Sequence, residues 1–237
     1  MLRPKNKIFK DQDPDFMWRG ENVTRLENLS DIVFALSLGL LVTGDAAPRT
    51  YSALLSHMSN LPAVAFSMAI LFLMWNFHFI YFRRYGLGDP RTIFLNALLL
   101  FLVLTIAHPL KFMSDVCVAV VYSLFGKTEA LLGYQIDFEN TGDLLGIYSI
   151  IYFCIFMVIF LMYQHALKQA ENIGLTPKEK YLTKTAMHQC LLQAAFGVIV
   201  AVLAIFTAWG PLSGMVYIFI GPMVWILDKW QTRTAKL

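Results

Sequence analysis

Long apolar runs constrain this chain more than any other feature. Six stretches, at 29–47, 61–82, 92–112, 144–167, 187–209 and 211–228, each approach the length of about 20 residues that one bilayer crossing needs. The third is expected to continue as helix to about residue 125. Lipid offers no water to backbone groups, so each run must close its own hydrogen bonds, and the helix is the default. No run alternates with the two-residue period of a barrel strand. The expected fold is therefore all-α, a polytopic membrane protein with six transmembrane helices. Trp209-Gly210-Pro211 reads as a hairpin joining the last two.

Composition agrees. Of 237 residues, 57% are hydrophobic and 15% charged, where soluble domains carry about 25% charged. Mean hydropathy is +0.58. So few charges could not cover that apolar surface in water; the implied partner is the lipid bilayer. A net charge of +3 does not suggest a nucleic-acid surface, and no nucleic-acid partner is expected. Cys117, Cys154 and Cys190 lie far apart in apolar stretches, without metal-ligand spacing, and read as buried free thiols. The first apolar run begins only near Leu29, later than the core of a cleavable signal peptide, so none is expected.

Lys and Arg fix the direction of crossing. Arg3, Lys5, Lys7, Lys10, Arg19 and Arg25 precede the first run; Arg83, Arg84 and Arg91 lie between the second and third. Lys168, Lys178, Lys180 and Lys184 lie between the fourth and fifth, and Lys229, Arg233 and Lys236 end the chain. Only Arg49, Lys111 and Lys127 fall on the opposite side. Basic residues stay in the cytoplasm, so both termini are expected there. No long linker or repeat divides the chain. Residues 1–28 read as a cytoplasmic arm, 29–228 as one six-helix membrane domain and 229–237 as a cytoplasmic tail.

Ionisable groups at membrane depth need a partner or a task. Asp31 lies just inside the first run. It reads either as part of a helix start capped by Asn28 or Ser30, or as a member of a buried network. On the second run Trp75, His78 and Phe82 recur at spacings of three and four and share one face. Asn96 lies near the same end of the third. Asp31, His78 and Asn96 are thus expected in one layer on three consecutive helices. Pro109 is expected to kink or end the third helix. His165 and His188 flank an inner loop and are expected to face water. With no HExxH, GxSxG or phosphate-binding glycine loop, nothing points to an enzyme. Past Asp31, Leu36, Leu40 and Thr43 form one stripe on the first helix. Such a stripe serves as ordinary core, as lipid contact or as a pore wall, since hydrophobic constrictions gate and select ions. The small residues Ala35, Ser37 and Gly39 on its other faces favour close helix packing.

Arg25-x-x-x-Leu29-Ser30-Asp31 resembles the RxxxFSD signature that opens the first helix in the transmembrane-protein-175 family, the endolysosomal potassium channels and their bacterial relatives. Trp75-x-x-His78-x-x-x-Phe82, Asp89, Asn96 and Pro109 are similar to the family's pattern through helices two and three. The resemblance implies a potassium-permeable, leak-type channel without a TVGYG filter, needing no cofactor beyond permeant K+ and passing monovalent cations. It implies that the first helices of a homotetramer line the pore, narrowest at Leu36, with further layers near Leu40 and Thr43. It further implies that Arg25, Ser30, Asp31, His78 and Asn96, with Trp75 beside them, brace the pore helix. Leu29 replaces the motif Phe, and Gly39 stands where the pattern often has a Thr whose hydroxyl bears on permeation. A single repeat with short loops is similar to members of prokaryotic plasma membranes. Two other functions fit a chain of this kind: a proton- or cation-coupled carrier titrating Asp31 and His78, and a non-conducting membrane scaffold.

Overall fold

The structure is a computed structural model and describes residues 16–20, 22–43, 49–126, 138–207 and 210–234. These residues form α1 (Arg25–Thr43), α2 (Tyr51–Ser59), α3 (Leu61–Tyr85), α4 (Pro90–Leu124), α5 (Phe138–Lys168) and α6 (Pro177–Phe206). A 3₁₀ segment (Gly210–Phe219) and α7 (Ile220–Thr234) follow. No strand occurs among them.

Among the described residues, four helices are long and apolar enough to cross a bilayer: α3, Pro90–Asp115 of α4, Gly142–Lys168 of α5, and α6. They are apolar outside as well as inside. Phe66 and Phe72 on α3, Phe94 and Phe101 on α4, and Val198 and Val202 on α6 are all exposed. A helix bathed in water would be polar on that face. The molecule is a multi-pass membrane protein.

Several boundaries differ from the expected runs, each for a local reason. Helix α1 starts at Arg25, because Thr24 and Glu27 cap it reciprocally. Glu27 N–H donates to Thr24 Oγ1 (3.2 Å), and Thr24 N–H donates to Glu27 Oε1 (2.9 Å). Helix α6 likewise starts ten residues before its apolar run, at Pro177, capped by Thr176 and Glu179. Helix α4 continues through Pro109 to Leu124, so the proline does not end it. The last run, expected as one helix over 211–228, divides into the 3₁₀ segment and α7. Starting α7 at Ile220 puts Pro222 in the first turn, where a missing N–H leaves no bond unmade. The hairpin expected at Trp209 and most of the outer loop expected near 126–142 lie outside the described residues.

The core forms where α5 and α6 pack most extensively. Gly197 makes that approach possible: a Cβ there would lie 3.0 Å from Phe153 N, Phe153 Cβ and Ser149 O. Buried hydroxyls on the same surfaces are satisfied, with Tyr152 Oη donating to Gln193 Oε1 (2.5 Å) and Tyr217 Oη donating to Ser149 Oγ (3.0 Å). The second bond ties the 3₁₀ segment to α5. Of the cysteines, Cys190 is buried, Cys154 half-buried and Cys117 exposed; all three are free, so the expectation of burial fails at Cys117.

Gly197→Ala is expected to force α5 and α6 apart at a backbone contact and to cost about 1–3 kcal/mol. Gly39→Ala meets nothing within 4 Å and should be neutral or stabilising by about 0.5–1 kcal/mol. Thermal melts of both variants in detergent check the pair.

Candidate functional site

Successive residues of a helix point about 100° apart, and α1 uses this to present three different faces. Ser30, Phe34, Ser37 and Leu41 are buried against α3 and α4. Leu29, Ile32 and Leu36 are 53%, 65% and 55% exposed, although each is a large apolar side chain. Asp31 lies between these faces.

The buried face carries a polar joint among three helices. Asn96 on α4 donates from Nδ2 to Ser30 Oγ on α1 (2.9 Å). Its Oδ1 lies 2.9 Å from His78 Nε2 on α3. Ser30 Oγ in turn donates to Leu26 O (2.9 Å). With the Asn96 amide so oriented, His78 must carry its proton on Nε2. The bonds then run in one direction, from imidazole to amide to hydroxyl to the α1 backbone. His78 Nδ1 is buried without a hydrogen bond, and the ring lies against Phe82 (4.7 Å) and Phe34 (5.6 Å). Asp31 does not enter this layer. Its Oδ1 accepts from Trp75 Nε1 (2.9 Å) on the exposed side of the α1–α3 contact. The third member of the layer is Ser30, one residue earlier and a face away.

The structure therefore brings Ser30, His78 and Asn96 into one chain and pairs Asp31 with Trp75. Arg25 is exposed and makes no hydrogen bond with these residues. Of the expected pore-lining stripe, Leu36 is exposed and Leu40 half-buried; Thr43 ends α1, and its side chain lies outside the described residues. The small residues divide: Ser37 is buried, Ala35 is exposed, and Gly39 is half-buried, with room for a Cβ that would meet nothing within 4 Å.

Sequence reasoning missed a second polar layer one turn below. Arg83 Nη2 on α3 donates to Glu27 Oε2, and both side chains are buried. Arg83 Nη1 donates to Gly20 O (2.6 Å). Removing one partner of such a pair leaves an uncompensated charge and typically costs about 3–5 kcal/mol. The signal in the sequence was Thr24-x-x-Glu27, a capping box ahead of an apolar run. His165 was also misplaced. It is buried, and Nε2 lies 2.9 Å from Asp89 Oδ2, so the end of α5 is bonded to the turn before α4. His188 is exposed, as expected.

Burial works to raise the Asp89 carboxyl, but bonds from Thr92 and His165 outweigh it and hold it below its ordinary value. A lowered carboxylate contributes stability in full above its unfolded value of 3.8 and loses it as pH falls through the folded value. Melting temperature is accordingly expected to fall more steeply below pH 3.8 in the wild type than in Asp89→Asn, which has no carboxylate to protonate. Asn96→Ala should leave His78 Nε2 without a partner, remove the bond to Ser30 and cost about 1–3 kcal/mol. A double-mutant cycle of Asn96→Ala with His78→Ala, read by thermal unfolding, should show coupling rather than additivity.

Comparison with known proteins bears on the same segment. Residues 25–106, which carry α1, α3 and the joint, match the family of the endosomal/lysosomal potassium channel TMEM175. A potassium channel of Marivirga tractuosa is 31% identical over 231 residues, 94% of each chain. The crystal structure of a variant of the potassium channel MtTMEM175, in complex with a nanobody–MBP fusion, has a TM-score of 0.81 at 31% identity. It covers 93% of this chain and 98% of that one. A lysosomal potassium-selective channel TMEM175 homologue from Chamaesiphon minutus has a TM-score of 0.57 at 20% identity, over 87% of this chain and 96% of its own, a likeness of fold alone. The chain belongs to the TMEM175 potassium channel family.

Proposed function

We propose that the chain is a potassium-permeable, leak-type channel in which four copies surround one pore lined by α1. The observation that carries this is the uncovered apolar face of α1. Ile32 and Leu36 stand exposed on a helix whose opposite face is fixed by the Ser30–Asn96–His78 joint. A helix held so firmly on one side and left bare on the other suits a shared wall better than lipid contact alone. In this reading Leu36 forms the constriction, with Leu40 and Thr43 as further layers, and conduction depends on wetting an apolar neck. Ser30, His78 and Asn96 brace the wall, Asp31 and Trp75 close its seam with α3, and Arg25 is left for contacts between copies. The kinship with a potassium channel of Marivirga tractuosa and with MtTMEM175 supports the choice of ion.

The reading keeps six crossings with both termini in the cytoplasm. Its support is the basic residues at one end of the bundle, where Arg83, Arg84, Arg91, Lys178 and Lys184 lie at the boundaries of α3, α4 and α6. The bacterial relative points to a prokaryotic plasma membrane. No cofactor is invoked, and permeant K+ is the ligand.

Purified protein in liposomes should pass potassium down a gradient, and Leu36→Ala should raise that flux several-fold. Sodium substitution in the same vesicles reports selectivity. Absence of flux in both proteins, shown to be folded and tetrameric, would sink the channel. Saturating, steeply pH-dependent flux that disappears in His78→Gln would favour a coupled carrier instead.

A further inference from the structure

The first described residues, Phe16–Gly20, form a short strap across the end of the bundle where α3 ends and α6 begins, and the arginine within it is saturated. Arg19 Nε donates to Ile173 O (2.7 Å), Nη1 to Met17 O (3.0 Å) and to Glu179 Oε1 (2.9 Å). Nη2 donates to Gly174 O (2.9 Å) and to Glu179 Oε2 (2.8 Å). All five N–H groups of a guanidinium are thereby used. Glu179 is itself the capping residue of α6 and also accepts from Met17 N–H (3.0 Å).

The strap is equally tied on its other side. Arg19 N–H and Gly20 N–H both donate to Arg83 O (3.0 and 3.1 Å), and the Arg83 guanidinium returns a bond to Gly20 O. Arg83 then reaches Glu27, the capping residue of α1. Two Thr-x-x-Glu caps, on α1 and α6, are therefore joined through two arginines and one stretch of backbone. Packing leaves no slack. A Cβ on Gly20 would lie 2.3 Å from Phe82 O, and one on Gly86, at φ +59°, would lie 3.1 Å from Arg19 backbone atoms.

We infer that Arg19 and Arg83 are positioning residues that couple the base of α1 to the start of α6, so that release of the strap releases the base of the pore helix. The statement about the pore rests on the channel reading; the statement about α1 does not. The coupling is all-or-none. Glu27 and Glu179 are both buried, and half-opening either pair would leave a charge without its partner away from water. The seat must be kept or lost as a unit, which is how bistable elements transmit a local change.

The test uses the full chain in liposomes, comparing wild type with Arg19→Gln, Glu179→Gln, Gly20→Ala, the double variant Arg19→Gln/Glu179→Gln and the swap Arg19→Glu/Glu179→Arg. Lys184→Gln, exposed on α6, serves as control. Amide hydrogen exchange over residues 26–31 reports the first turns of α1, and potassium flux is followed in parallel. Each single variant is expected to speed exchange there by about tenfold or more. The double variant should be no faster than the faster single, and the swap should recover part of the protection. Flux should rise several-fold in the singles and be unchanged in the control. If exchange over 16–20 becomes fast while 26–31 stays at the wild-type rate, the coupling is absent and the inference fails. Should Arg19→Gln not fold, Arg19→Lys keeps the charge without the bidentate fork and should give an intermediate rate. Coupled exchange in a protein that passes no potassium would leave the positioning role intact and remove the channel.

Discussion

The hydrogen-bonded joint of Ser30, Asn96 and His78 is what the arrangement around α1 depends on. At membrane depth no water competes for these groups, and apolar packing alone does not distinguish a neighbouring helix from a lipid tail. A side-chain amide that donates to one helix and accepts from another supplies a preference that Leu and Phe cannot. It fixes the rotation of α1 about its own axis. That rotation decides which residues are buried and which stay bare: Ser30, Phe34, Ser37 and Leu41 turn inward, and Ile32 and Leu36 turn out. Turning α1 by one residue would bring Asp31 into the layer and carry an acidic group into an apolar pocket, a costly exchange.

Much of this was legible in the sequence. The apolar runs gave most of the helices and the all-α class, and Asp31, His78 and Asn96 were expected as polar groups at matched depth. The layer itself was misassigned by one residue, with Asp31 expected where Ser30 stands. Depth along a helix can be counted from sequence, but the azimuth that separates neighbours depends on packing. Boundaries were missed where capping outran hydrophobicity. Thr24-x-x-Glu27 and Thr176-x-x-Glu179 each start a helix before its apolar run, and both boxes were there to be read. The last run was misread for the opposite reason: it is apolar enough for one helix, but it divides so that Pro222 falls in the first turn of α7, where its missing N–H costs no bond. Ion pairs such as Arg19–Glu179 had no local signal at all, because the partners are 160 residues apart.

The two polar layers at the base of α1 do different work. The neutral joint specifies geometry at modest cost, since each member can be satisfied without a buried charge. The charged layer beneath it, Glu27 with Arg83, is costly to break from either side and resists gradual deformation. Stacked one turn apart, they hold α1 against both rotation and withdrawal. Its open apolar face is thus a consequence of how tightly the other face is held, rather than a failure to pack.

The separation of Arg19 from Glu179 also has a consequence for biosynthesis. The strap lies near the start of the chain, and its acidic partner lies in the first turn of α6. At synthesis rates of about 5–20 residues per second, Glu179 leaves the ribosome on the order of ten seconds after Arg19. Glu27 and the backbone of the strap can both find Arg83 during that interval, as soon as α3 has been made, whereas the Arg19 guanidinium still lacks its carboxylate. Helix α1 is therefore joined to α3 first, and the coupling that makes its seat a single unit with the start of α6 is complete only once Glu179 has been made.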